Sequence, residues 1–259
     1  VTNELGDLID IVCTINEANL TACFAHSFQS YPEHGMKAIM PFIKEAAEEC
    51  GSTLENFGPF LFGHPFKIRD CMMEAHVKSV PIIKSILKNN QPVGVTLSIM
   101  DYQAAEDGEE MRDKAYAESV DCCLDQIVND DFVGVQMYTR HTYGPDGIIK
   151  PKADDPNMLV MGYEYYPESL ENVVRYVSSK IKTPIMITEN GIGTDDDNQR
   201  IEYLTTALQG LQNCLDDGID VRGYFCWSLL DNFEWLFGYK PRFGLVEVNR
   251  ETLDRTAKE

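Results

Sequence analysis

Five short apolar runs punctuate this chain, with longer stretches of helical spacing between them, and that alternation leaves few folds open to it. The runs are Ile9–Thr14, Val93–Met100, Phe132–Tyr138, Pro184–Thr188 and Val221–Ser228. Their apolar and β-branched residues are nearly continuous, as expected of parallel strands covered on both faces. Between the first two, Met36, Ile39, Met40, Ile43 and Ala47 form one stripe of a helix over Met36–Cys50, with Gly51 as its stop. Further helices are expected over Asp70–Asn89, Met111–Val128, Pro167–Ile181 and Arg200–Asp217, with Pro81 bending or interrupting the first of them. Strands joined by helical crossovers make an α/β fold around a parallel sheet. Either an open doubly wound sheet or a portion of a (β/α)8 barrel satisfies this pattern. No linker, repeat or low-complexity stretch divides the chain, so 1–259 reads as a single domain.

Charge and cysteine usage narrow the partners. A formal net charge of −20 repels phosphate backbones and anionic headgroups, so neither nucleic acid nor a membrane is expected as a partner. No segment reaches the roughly 18 consecutive apolar residues that a membrane span needs. The opening VTNELGDLIDIV has no basic n-region before an apolar run. The eight cysteines form no CxxC pair and mostly sit inside apolar runs, the usage of small buried hydrophobes in a reducing compartment. A cytoplasmic protein is therefore expected, although a chain that had lost a leader would read the same way. His26, His34, His64, His76 and His141 do not group at ligand spacing, so no metal is expected, and nothing calls for another cofactor.

Strand ends carry the chemistry. In (β/α) barrels the reacting groups sit where strands meet the loops at their C-terminal ends. The first run delivers Asn16-Glu17 and the fourth delivers Glu189-Asn190-Gly191. A carboxylate leaving a buried strand is desolvated on one side, which favours its protonated form. Two such groups across one sugar supply an acid for the leaving oxygen and a nucleophile for the anomeric carbon. Either glutamate alone could equally be a salt-bridged strand-end residue. The fifth run continues as GYFCWSLLDNFEWLFGYKPRFG, which holds both Trp227 and Trp235, with Glu234 between them and Phe243 after. Indole faces stack on the C–H face of a sugar, and a carboxylate accepts hydrogen bonds from its hydroxyls.

Taken together these segments resemble glycoside hydrolase family 1. TINEANL resembles the family's acid/base motif, ITENGIG its nucleophile motif, and the long tryptophan segment its last-strand signature. RIEYL and GIDVRGY fall in the family's order, and DDFVGVQMYTR is similar to the compact bacterial members. Ala18 stands where proline is common, and Gln136-Met137 where many members have Asn-Tyr. The resemblance implies a (β/α)8 TIM barrel, of which this chain supplies strands four to eight.

The same resemblance implies a retaining β-glucosidase, with β-galactosides or β-fucosides also accepted. Glu17 would be proton donor and Glu189 nucleophile, about 5–5.5 Å apart, with proton affinities pushed in opposite directions. Asn16 would hold the sugar 2-hydroxyl and Tyr138 would orient Glu189. Trp227 would floor the glycone, Glu234 and Trp235 would bind its outer hydroxyls, and Phe243 would line the pocket near O6. Glu234 would repel a 6-phosphate, so a neutral β-glucoside or oligosaccharide is expected as substrate. The first three barrel units, with a Gln, a His-Trp pair and an Arg that the family places at the site, are unmatched. Open sheet edges then call for a complementary N-terminal piece or a homo-oligomer. The alternative is a non-catalytic sugar-binding module or a split-enzyme fragment.

Overall fold

Residues in the densest apolar runs pair most completely. The computed structural model describes residues 1–27, 33–54, 56–58, 64–152 and 155–259, with side chains 27, 33–39 and 236 outside the description. Its strands are β1 (Val12–Cys13), β2 (Val93–Ser98), β3 (Asp101–Ala104), β4 (Phe132–Met137), β5 (Arg140–Gly144), β6 (Gly147–Ile148), β7 (Ile185–Asn190), β8 (Val221–Cys226), β9 (Val246–Val248) and β10 (Arg255–Ala257). The helices are α1 (Thr2–Leu5), α2 (Leu20–Ser27), α3 (Glu33–Glu49), α4 (Pro65–Ile86), α5 (Glu109–Tyr116), α6 (Cys122–Leu124), α7 (Ser169–Lys180) and α8 (Asp197–Asp216).

One five-stranded sheet in the order β1-β2-β4-β7-β8 organises the chain, and every neighbouring pair in it is parallel. A doubly wound sheet reverses its order at a switch point. Here each new strand joins beside the previous one, the order of a barrel, and five strands make only part of one. β2 and β4 are buried along their whole length, while the edge strand β8 leaves Phe225 exposed. Leu170, Val173, Val174 and Val177 of α7 and Tyr203, Ala207 and Cys214 of α8 close one face of the core. Gly134 of β4 has no room for a side chain, since a Cβ would lie 2.6 Å from Thr96 Cγ2 and 3.0 Å from Thr188 Oγ1. The strand-end residues therefore sit on a layer of threonines packed against bare backbone.

Several expectations need correction. The run Ile9–Thr14 pairs only over Val12–Cys13, because an edge strand has a partner on one side only. Helix α4 runs through Pro81 without interruption. The proline lies near the helix C-terminus, and its missing N–H removes a single bond of the ladder. The stretch Met111–Val128 divides into α5, a π-turn at Ala117–Asp121 and α6. Side chains of His34, Met36 and Ile39 lie outside the described ones. Cys23, Cys123 and Cys214 are buried, but Cys13, Cys50 and Cys71 are exposed, so the buried-hydrophobe reading fits only part of the set; no two of the eight are joined by a disulfide. Two small sheets went unforeseen, β3-β5-β6 beside the strand ends and the hairpin of β9 and β10. No described helix is long and apolar enough to cross a membrane.

A buried polar clasp fastens the β1 edge. His76 on α4, fully buried, bonds Thr14 Oγ1 through Nδ1 at 2.8 Å and meets Asp130 Oδ2 through Nε2 at 2.9 Å. It ties the segment just before Asn16 to the residues leading into β4.

Candidate active site

Glu17 leaves β1 through a backbone turn that no regular element provides. Its φ is 48°, in the left-handed region that a non-glycine residue occupies only when its surroundings hold it there. Alternate residues of β2 do the holding. The Glu17 N–H donates to Thr96 Oγ1 at 3.2 Å, and the Ala18 N–H donates to the Thr96 carbonyl at 3.3 Å. Fully buried Asn19 accepts from the Ser98 N–H at 2.9 Å and donates to the Ser98 and Ser119 carbonyls, each at 2.8 Å. Ser98 also gives its hydroxyl to the Glu17 carboxyl.

Glu189 lies inside β7 rather than just after it, a second correction to the strand limits. A bulge aims it. Val135 of β4 pairs with Ile187, yet Gln136 pairs with Glu189, so Thr188 is the extra residue. The bulge brings Glu189 level with Gln136, whose Nε2 donates to Glu189 Oε1 at 2.8 Å. The Tyr138 hydroxyl donates to Glu189 Oε2. The next residue, Asn190, is fully buried, donates to the Met137 carbonyl at 2.9 Å and accepts from the Tyr224 hydroxyl at 3.0 Å. RIEYL acquires a structural meaning here. Tyr203 is hydrogen-bonded to Asn190 and donates to the Tyr138 carbonyl, while Arg200 donates to the carbonyls of Thr194 and Arg242.

Beyond β8, Trp227 is half-buried and gives a hydrogen bond to Glu234. A Cβ on Gly191 would lie 1.9 Å from the Trp227 carbonyl oxygen, so only glycine lets the two strand ends come this close. Trp235 is 82% exposed with φ 41°, presenting its indole to solvent. Phe243 is only 3% exposed and packs edge-on against Tyr138 at 6.0 Å. It backs the ring that holds Glu189 and has almost no free surface to line a pocket.

Electrostatics link three of these carboxyls. Glu17 rises from an ordinary 4.5 to about 7, first through burial and next through the charge of Glu189, with Ser98 opposing and Glu234 adding slightly. Glu189 is also raised, mainly by burial, although the Tyr138 hydroxyl pulls it down. The expected opposite shifts are therefore not found, because desolvation lifts both groups. The negative charge of Glu189 is the second cause of the rise at Glu17.

The structure thus joins Asn16 and Glu189 through Gln136, bonds Tyr138 to Glu189, couples Glu17 to Glu189 and Glu234 to both by charge, and joins Trp227 to Glu234. Thr96 and Ser98 were not foreseen as site residues. Their alternation toward the C-terminal end of β2, one strand from Glu17, was the available signal. Among the described residues, no three His, Cys, Asp or Glu side chains gather as a metal site.

Comparison with known proteins follows the same lines. The sequence profile of glycosyl hydrolase family 1 matches residues 150–259. A bifunctional β-D-glucosidase/β-D-fucosidase of Bifidobacterium breve is 42% identical over 113 residues, 38% of this chain and 25% of that protein. The crystal structure of the β-glycosidase BGL167 superposes with a TM-score of 0.87 at 39% identity, over 99% of this chain and 61% of that one. An apo structure of β-glucosidase 1317 gives 0.84 at 34% identity, over 99% and 62%. The chain thus spans about three fifths of these structures.

Proposed function

The chain belongs to glycosyl hydrolase family 1, and we propose on that premise that its strand-end cleft hydrolyses terminal β-D-glucosidic bonds with retention of configuration. Glu17 gives a proton to the glycosidic oxygen while Glu189 attacks the anomeric carbon. Glu17 then takes a proton from the water that releases the sugar. One observation carries this reading. A carboxyl raised to about 7 senses the charge of a second carboxyl whose two oxygens both accept hydrogen bonds. The first is poised to donate a proton near neutral pH and the second to stay ionised.

Asn16 meets the 2-hydroxyl, Trp227 underlies the glycone, and Glu234 with the outward-facing Trp235 takes the outer hydroxyls. Phe243 serves as backing for Tyr138. Glu234 disfavours a 6-phosphate by charge, which leaves neutral β-glucosides, with β-galactosides and β-fucosides as secondary substrates. The open edges at β1 and β8 suit a complementary piece carrying the remaining barrel strands, and cysteines in the thiol form suit a cytoplasmic, bacterial-type protein.

The test is hydrolysis of an aryl β-D-glucoside by this chain, alone and mixed with a polypeptide supplying three N-terminal barrel units. Proton NMR of the first-formed sugar reads the anomeric configuration. Release of β-glucose, abolished by Glu189→Gln, is expected. Sugar binding without turnover in either mixture would replace the hydrolase with a binding module.

A further inference from the structure

Among the described residues, Gln136 hydrogen-bonds both Asn16 at the end of β1 and Glu189 on β7. Its Nε2 lies 2.8 Å from Asn16 Oδ1 and 2.8 Å from Glu189 Oε1. Each of its two amide protons therefore has an acceptor, one at the end of β1 and one on β7. The opposite amide orientation would turn an oxygen toward two oxygens that carry no proton to share, so the acceptors themselves decide which way the amide faces. The arrangement leaves an orphan. Gln136 is 2% exposed, and its Oε1 is buried with no hydrogen-bond partner. Buried polar atoms are seldom left unpaired, and those that are tend to mark places where function overrides stability.

We propose that Gln136 is a positioning residue, whose single amide nitrogen fixes the ionised carboxylate of Glu189 and the amide orientation of Asn16 as one unit. Two geometric facts support it. The bulge at Thr188 brings Glu189 opposite Gln136, where a regular ladder would place the side chain on the other face. The oxygen of Asn16 is already committed, accepting from Gln136 and lying 3.2 Å from Thr96 Oγ1, so its amide nitrogen is the group left to offer a ligand. Asn16 thus presents a donor to a sugar hydroxyl while Glu189 presents a charged oxygen to the adjacent carbon. Both are held from the same atom. Naming that carbon as anomeric rests on the hydrolase reading above; the tie itself does not.

Gln136→Met tests the tie in the full chain. Methionine keeps the length and volume, lacks both donors and removes the orphan oxygen, so in acid, where Glu189 is protonated in both states, the fold should be about as stable as before. With glutamate labelled by carbon-13, the side-chain carboxyl of Glu189 is titrated by NMR, and the Asn16 side-chain amide is followed by nitrogen-15. A donor to a carboxylate stabilises its ionised form, so removing it should raise the Glu189 midpoint by about one to two pH units. The Asn16 amide signals should shift in the same variant, and the melting temperature should hold in acid and fall only at pH values where the unfolded chain is ionised at Glu189. Gln136→Asn, one methylene shorter and still an amide, should give a smaller shift in the same direction, and serves as the readout should the methionine variant not fold. A Glu189 midpoint that moves by less than roughly 0.3 unit in a folded variant overturns the assignment. Neither result depends on turnover, so a shifted Glu189 in a chain that stays inactive both alone and with the N-terminal barrel units would refute the hydrolase and leave the tie standing.

Discussion

Glu17→Gln should stabilise this protein at alkaline pH and do almost nothing for it in acid. The carboxyl of Glu17 rises from 4.5 to about 7 on folding, chiefly because burial penalises its charge. For an acid raised in this way the sign is fixed. Below about pH 4.5 the group is protonated in both states and contributes nothing against folding. As pH climbs through 7 the unfolded chain ionises freely while the folded one resists, so stability is lost across that window. A difference of about 2.5 units corresponds to roughly 3 kcal/mol, fully expressed above about pH 8. Glutamine is isosteric and cannot ionise. It also forfeits part of the bond with Ser98, worth about 1 kcal/mol, so a net gain of about 1–3 kcal/mol is expected at pH 8.

Urea unfolding of the wild type and of Glu17→Gln at pH 4.5 and pH 8 reads the difference directly. The two curves should nearly coincide in acid and separate in base, with the variant the more stable. Equal offsets at both pH values would refute the reasoning, since they would mean that Glu17 carries no burden of desolvated charge. The same measurement bears on function, because a group that destabilises its own fold near neutrality is one held there for its chemistry.

Three further outcomes follow from the geometry. In Glu189→Gln, carbon-13 titration of Glu17 should show its midpoint falling by about one unit yet staying above 4.5, because burial is the larger cause and survives the change. His76→Leu should destabilise by about 3–5 kcal/mol in thermal or urea melts, since it strands Asp130 in the core, and adding Asp130→Leu should restore much of the loss. Gly191→Ala would put a methyl 1.9 Å from the Trp227 carbonyl, so it should cost about 2 kcal/mol or more and displace Trp227 from Glu234, visible as a change in tryptophan fluorescence.

Much of the fold was legible because both-face burial writes itself as unbroken apolar runs. Val93–Ser98 and Phe132–Met137 are buried at every position, and both were readable as strands. Val12–Cys13 was overestimated because composition does not reveal which strand lies at an edge. The two glutamates were legible from their place at strand ends. What held them was not. A bulge is a register event between two strands far apart in sequence, so nothing local to Thr188 announces that Glu189 will face Gln136. The pocket role of Phe243 came from the family likeness alone, and the ring is buried edge-on against Tyr138.

The pair also shows why burial alone cannot assign roles to two carboxylates. Desolvation acts on both and lifts both, so it cannot by itself make one an acid and the other a nucleophile. The asymmetry comes from donors. Glu189 accepts from Gln136 on one oxygen and from Tyr138 on the other, whereas Glu17 has the Ser98 hydroxyl and faces the charge that those donors hold in place on Glu189. Each donor to Glu189 therefore acts twice. It favours the ionised form of that carboxylate, and through that charge it favours the protonated form of Glu17. Removing one donor should narrow the gap between the two titrations from both sides, a coupling that no rearrangement of apolar packing would produce.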